Sequence, residues 1–231
     1  MPLQELVEAV AALLPDAPLV WREVPGCLGL RGLFLEEESA LRPLPASLVE
    51  AVMREPPFWA LLWPSGHAVC RLLARHPDLV LGREVLDFGC GGGLGAGAAA
   101  RAGAARTWAV DSDPLALKAT RLNALENHAT IEVDARCDEP VDLLVLADFL
   151  YDQSHLPLFD LLQTRAQEVL VVDSRLARLE RPDYVWLGEG EGIAIPDLDP
   201  HREFGRLRFW YRGPRFALWR DCCQMLPDQI A

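Results

Sequence analysis

The chain has 231 residues, 51% of them hydrophobic and 24% charged, a composition that buries a core and excludes a disordered chain. Thirty-four acidic against 22 basic residues leave a net charge of −12, a field that repels phosphate backbones and argues against a nucleic-acid partner. No apolar run reaches the roughly 18 residues of a membrane span, and residues 1–15 carry no basic leader, so a cytoplasmic protein is expected.

Leu3, Leu6, Val7, Val10, Leu13 and Leu14 recur at helical spacing, and Pro15-Asp16 ends that helix. Residues 19–36, broken at Pro25-Gly26 and Gly32, read as a short hairpin, and residues 43–54 as a second short helix. Residues 1–56 are thus expected to form a helical and hairpin appendage, and residues 57–231 the main domain. From about Ser65 the texture becomes a strand–helix alternation. Helices are expected at 68–75, 94–101, 114–127 and 156–167, and strands at 85–88, 107–111, 131–134, 141–147 and 168–173. Such alternation predicts an α/β fold with a parallel, doubly wound sheet. After Pro182 the pattern turns β-like at 184–187, 206–211 and 216–219, antiparallel strands that finish the sheet.

Six scattered cysteines (Cys27, Cys70, Cys90, Cys137, Cys222 and Cys223) show no C-x-x-C pair and no histidine at ligand spacing. They read as reduced, mostly buried thiols, and no metal site is expected. The five histidines (His67, His76, His128, His155 and His201) pair with no nucleophile, which leaves hydrolase chemistry without support.

The most informative stretch runs from Val85 to Gly95, Val-Leu-Asp-Phe-Gly-Cys-Gly-Gly-Gly-Leu-Gly. A buried strand enters a loop where glycine lets the backbone approach a ligand, and a helix then begins with free N–H groups facing it. The dinucleotide pattern G-x-G-x-x-G/A can be laid on Gly91, Gly93 and Ala96. Two carboxylates refine the choice. Asp111, closing the next strand ahead of Ser112, suits ribose hydroxyls of either cofactor type. Asp87 stands two residues before the first glycine, where it repels a pyrophosphate and attracts a sulfonium and an ammonium. The cofactor that fits is S-adenosylmethionine, with S-adenosylhomocysteine as its product.

Asp87-x-Gly89-x-Gly91-x-Gly93 with Asp111 resembles the first two motifs of class I, seven-β-strand S-adenosylmethionine-dependent methyltransferases. Pro57-Phe-Trp-Ala-Leu-Leu-Trp-Pro-Ser-Gly66 and Leu146-Ala-Asp-Phe-Leu-Tyr-Asp152 extend the likeness. Together they are most similar to the electron-transfer-flavoprotein β-subunit lysine methyltransferase group, with its nicotinamide N-methyltransferase-like members. The resemblance covers residues 57–174. It implies a Rossmann-like seven-stranded sheet, mostly parallel with an antiparallel C-terminal strand. It also implies that Trp63 lies against the cofactor and that Asp148 and Tyr151 line the substrate pocket.

Pro64 biases Trp63 towards an extended backbone, whereas Trp59 reads as packing. Asp148 ends the fourth strand, where open α/β sheets place their chemistry; capping of the following helix is its other reading. Cofactor contacts are expected from Trp63, Asp87, Gly89, Gly91, Gly93, Asp111, Ser112 and Asp148. Catalysis is assigned to Asp148 and Tyr151. Asp113 before Pro114 reads as a helix cap, and His67 as a helix-surface residue. An acid on the adenine amino group is implied after the third strand, from Asp134 or Asp138. The 36–38 glutamate run reads as a solvated face. The appendage precedes Trp63 and is placed to fold over the cofactor's mouth. The reaction expected is methyl transfer to an amine nitrogen, a protein lysine ahead of a small amine such as nicotinamide. A nicotinamide-cofactor oxidoreductase and a non-catalytic cofactor-binding module are the other readings.

Overall fold

The computed structural model describes residues 2–43, 46–197 and 205–224. Chain order is α1 (Pro2–Leu13), β1 (Leu19–Glu23), β2 (Arg31–Leu35), α2 (Glu37–Ala40), α3 (Ala46–Arg54), α4 (Pro64–Arg75), β3 (Glu84–Phe88), α5 (Leu94–Arg101), β4 (Arg106–Val110) and α6 (Pro114–Glu126). It continues with β5 (Glu132–Asp134), β6 (Val141–Ala147), α7 (Leu156–Leu162), β7 (Ala166–Asp173), β8 (Val185–Glu191), β9 (Arg206–Arg212) and α8 (Phe216–Gln224).

Seven strands form one sheet in the order β5-β4-β3-β6-β7-β9-β8. Strands β5, β4, β3, β6 and β7 are mutually parallel, and β9 runs antiparallel to both β7 and β8. This is the doubly wound sheet with an antiparallel C-terminal strand that the alternation and the resemblance imply. Strands β6 and β7 sit centrally with helices on both faces, which is why Val-Asp-Leu-Leu-Val-Leu-Ala and Ala-Gln-Glu-Val-Leu-Val-Val-Asp are near-continuous apolar runs. From β3 the chain builds outward through β4 to β5, then crosses back to β6 on the other side of β3. That reversal opens a crevice at the carboxyl ends of the central strands.

Four elements depart from the sequence expectation, one of them α4, which starts at Pro64 rather than at Ala68. Residues 216–219 belong to helix α8, not a strand. Trp219 and the vicinal Cys222 and Cys223 repeat at i, i+3 and i+4, and that face is buried against β8 and β9. The helix expected to 167 stops at Leu162, and after a 3₁₀ turn the strand starts at Ala166. The helix expected from Pro43 runs from Ala46; Leu44 and Pro45, like His201, lie outside the described residues. The six cysteines are unpaired, and all but Cys90 are buried.

The N-terminal segment shares its cores with the sheet layer. Leu6, Val10, Leu33 and Leu35 pack with Trp59, Ala116 and Ala119, while Val24, Cys27, Leu30 and Phe34 join the core under α4 and α5. His67 is fully buried rather than on a helix surface. Its Nε2–H donates to Pro25 O at 3.0 Å and its Nδ1 accepts from the Ile193 amide at 3.3 Å. Burial holds this imidazole neutral, lowering its pKa to about 4. The other fixed polar centre lies towards the opposite end of the sheet from the crevice. Glu168, near the start of β7, is 2% exposed and accepts from Arg83, Arg215 and the Trp219 indole. Burial alone raises its pKa, but the bonds from Arg215 and Arg83 outweigh that and hold it low.

Candidate active site

A cavity of about 820 Å³ occupies the crevice at the carboxyl ends of β3, β4, β6 and β7, within the usual size of a ligand site. Its wall includes Trp63, Asp87, Gly89, Gly91, Asp111, Ser112, Asp148 and Tyr151, all singled out from the sequence. Gly93 stands off the wall as the left-handed N-cap of α5, with φ +72°. A Cβ there would lie 2.3 Å from the Thr120 methyl, so its role is to let α6 close on the loop. Residues 2–43 and 46–55 contribute nothing to the wall, which takes up the chain at Pro56. The described residues before Pro56 therefore back the site rather than fold over its mouth, with Leu6, Val10, Leu30, Leu33, Phe34 and Leu35 packed into the cores beside α4, α5 and α6.

The loop after β3 is held from two sides. Asp111 accepts the Gly91 amide on Oδ2 at 2.9 Å and the Asp113 amide on Oδ1 at 3.0 Å. Asp87, 6% exposed, accepts the Ala96 amide at 2.8 Å and so ties β3 to the first turn of α5. At Gly95 a Cβ would come within 2.7 Å of that carboxylate, so only glycine lets the helix pass so close. Gly91, at φ +53°, has open space where its Cβ would stand, leaving a cradle of bare backbone on the cavity. Burial pushes the Asp87 carboxyl up to about 7, against the Ala96 bond and helped by the charge of Asp111. Asp111 is raised as well, again chiefly by burial. Two carboxyls held above their ordinary range make this end of the cavity a place for a cation and for hydroxyl donors. Asp113 caps α6 through the Leu115 amide at 2.8 Å, as its position before Pro114 predicts.

At the other end, Trp63 has an extended backbone, φ −79° and ψ 155°, and precedes α4 as Pro64 dictates. Trp59 is 2% exposed, a packing residue as expected. Asp148 adopts φ +49°, a left-handed conformation that strains a non-glycine residue. Its Oδ1 accepts the Ser174 amide at 3.0 Å and hydroxyl at 2.7 Å, and its Oδ2 accepts the Ser65 amide at 3.2 Å. One carboxylate thus joins the ends of β6 and β7 to the first turn of α4. Asp148 does cap a helix, but α4 rather than the following one; the turn that follows is capped by Asp152 through the Ser154 amide at 2.8 Å. Oδ2, with its single long bond, keeps acceptor capacity towards the cavity.

Tyr151 is 40% exposed at the rim. The Arg175 guanidinium lies 3.4 Å from its ring centroid and 5.8 Å from that of Trp63. Arg175, Ser174 and Phe149 were not singled out from the sequence, although Arg175 follows the end of β7, where a doubly wound sheet gathers its functional side chains. Of the two acids after β5, Asp138 is on the wall and Asp134 is not. Asp138 is held by Arg165 at 2.6 Å. The glutamates at 36–38 lie away from the cavity, where Glu36 caps α2 and Glu37 pairs with Arg22 at 2.7 Å.

Comparison with known proteins adds relatives to this geometry. The family model described as ribosomal protein L11 methyltransferase (PrmA) matches residues 73–152. The electron transfer flavoprotein beta subunit lysine methyltransferase of Danio rerio is 36% identical over 135 residues, 54% of this chain and 52% of that protein. Its Mus musculus counterpart is 31% identical over 184 residues, 67% of this chain and 72% of that protein. With the Danio rerio protein, the match spans about half of the relative's length. Among solved structures, the ribosomal protein L11 methylase of Lactobacillus delbrueckii subsp. bulgaricus is 20% identical with a TM-score of 0.46, covering 64% of this chain and 80% of that one.

Proposed function

The chain belongs to the family of the electron transfer flavoprotein beta subunit lysine methyltransferases, and on that premise we propose that it transfers methyl from S-adenosylmethionine to a protein lysine. The observation that carries the reading is the single cavity wall that runs from the Asp87–Gly91–Asp111 cradle to Asp148, Trp63 and Tyr151. The cradle fits the cofactor, since bare backbone at Gly91 adjoins a carboxylate for hydroxyls and a buried one for a cation. S-adenosylmethionine supplies, when bound, a methyl group on a sulfonium.

In this reading Asp111 and Ser112 hold the ribose, Asp87 faces the amino-acid end, and Asp138 stands on the adenine side. Trp63 lies against the cofactor. The chain's own work is alignment, holding the acceptor nitrogen roughly 3 Å from the carbon it attacks. Asp148 Oδ2 receives the lysine ammonium as it enters, while Tyr151 and Trp63 flank the alkyl chain. The ammonium must lose its proton before it is a nucleophile, and solvent at the open rim accepts it. The half-exposed Tyr151 and Phe58 beside that opening suit a side chain presented by a macromolecule. The acceptor we favour is the beta subunit of an electron transfer flavoprotein, the protein named for the relatives.

The test incubates purified protein with methyl-labelled S-adenosylmethionine, electron transfer flavoprotein and, separately, nicotinamide. Label on a lysine of the beta subunit is the expected result. Turnover of nicotinamide with no labelled protein would overturn the acceptor, and no binding of either cofactor form would overturn the reading as a whole.

A further inference from the structure

Helix α6 reads the carbonyls of the glycine loop, and the N-terminal hairpin orients the residue that does so. Thr120 Oγ1 donates to Gly91 O at 3.0 Å and Asn123 Nδ2 to Gly92 O at 2.7 Å. On the same side chain, Asn123 Oδ1 accepts the Leu33 amide of β2 at 2.9 Å. Four residues on, Asn127 accepts the Arg31 amide at 2.8 Å and donates to Arg31 O at 2.6 Å. The two asparagines therefore act as a substitute strand along the free edge of β2, but only Asn123 also reaches the loop. A planar trans peptide points its N–H opposite to its carbonyl. Fixing Gly91 O on Thr120 thus turns the Gly92 N–H away from α6, and fixing Gly92 O holds the next peptide plane. A Cβ on Gly92 would stand 2.9 Å from Trp59 O and 3.2 Å from Asn123 Nδ2, so the loop sits too close to both for any residue but glycine.

We propose that Asn123 is a positioning residue for the cofactor, and that the N-terminal hairpin belongs to the cofactor site through the Leu33 amide that orients it. An apolar side chain of the same shape would leave both the Leu33 amide and the Gly92 carbonyl without this partner, so hairpin and loop depend on one amide. Asn123 is 2% exposed and both ends of its amide are satisfied, so its orientation is fixed rather than averaged. The inference rests on the reading of the cavity as a cofactor site.

The test compares Asn123→Ala, Asn123→Asp and Asn127→Ala in the full chain. Amide hydrogen exchange of residues 89–93 is read without cofactor, and affinity for S-adenosylhomocysteine by calorimetry. Both Asn123 variants should speed loop exchange and weaken S-adenosylhomocysteine roughly tenfold, raising the KM for S-adenosylmethionine with kcat at saturation kept. Asn123→Asp keeps the acceptor for Leu33 and, read at a pH where it is ionised, sets a repelling oxygen against the Gly92 carbonyl in place of the donor, so it remains informative should the alanine variant fail to fold. Asn127→Ala loses the Arg31 bonds and stability, yet should leave loop exchange and affinity as in the parent. Equal weakening by Asn127→Ala, or parent-like loop exchange in Asn123→Asp, would overturn the assignment. A parent protein that binds no S-adenosylhomocysteine would instead overturn the proposed function, while the exchange comparison would still decide whether Asn123 holds the loop.

Discussion

The buried carboxyl of Asp87 gives the cofactor proposal a proton signature. Its pKa is raised from 3.8 to about 7, with burial as the main cause. A folded-state pKa above the unfolded one means stability that is full below the unfolded pKa and is lost as pH rises through the folded one. Between pH 5 and pH 8 that loss amounts to about 3 kcal/mol for the cofactor-free protein. A cation brought against Asp87 reverses the cause of the shift, so the carboxyl ionises on binding. At pH 6 a group with this pKa is about nine-tenths protonated. Binding should therefore release about 0.9 proton at pH 6 and about 0.1 at pH 8, and affinity should rise with pH up to about 7. Calorimetry in buffers of different ionisation enthalpy reads the released proton directly. Asn in place of Asp87 still accepts the Ala96 amide but has no proton to lose. Asp87→Asn should thus flatten both the binding and the stability profiles, and should bind more weakly above pH 7. The same proton count at pH 6 in the parent and in Asp87→Asn would refute the argument.

Three other outcomes follow from named contacts. Asp111→Ala removes both the tether on the Gly91 amide and the acceptor offered to the ribose, and should cost about 2 kcal/mol of cofactor affinity, near thirtyfold by calorimetry. Asp148→Asn keeps an acceptor for Ser174 but turns an amide N–H2 on the Ser65 amide or the reverse; cofactor affinity should hold while methyl transfer slows, and the lost cap should lower stability by about 1 kcal/mol. Glu168→Ala strands Arg83, Arg215 and the Trp219 indole towards the far end of β7; denaturant unfolding should show a loss of about 3–5 kcal/mol, with cofactor affinity of the folded protein unchanged.

The parts of the fold legible in the sequence are those fixed by local rules. The strand–loop–helix at 85–101, the extended backbone of Trp63 before Pro64, the Pro114 helix start and the Asp113 cap each depend on residues within a few positions of one another. Residues 216–219 misled because Phe-Ala-Leu-Trp alternates too little to separate strand from helix. The choice falls to Cys222 and Cys223 one turn later, which extend the buried face with Trp219. His67 misled for a different reason. Its partners, Pro25 and Ile193, lie 42 and 126 residues away, and no local pattern marks a histidine as buried.

Asp148 shows how far such rules carry into the site itself. Position at the end of a strand told where the carboxylate stands, and the cavity wall includes it. What it does there is set by Ser65 and Ser174, which are 83 and 26 residues distant, and by a left-handed backbone that no adjacent glycine advertises. A carboxylate whose lone pairs are partly spent on three elements is rigid, and rigidity is what an alignment mechanism demands of the role we propose for Asp148. The strain at φ +49° fits the same account, since the bonds from Ser65 and Ser174 over-determine a conformation that would otherwise relax. The sequence presents capping of the following helix and catalysis as rival roles for Asp148; the helix it caps is instead α4, and that cap fixes Trp63 and Asp148 on a common frame, as the proposed role requires.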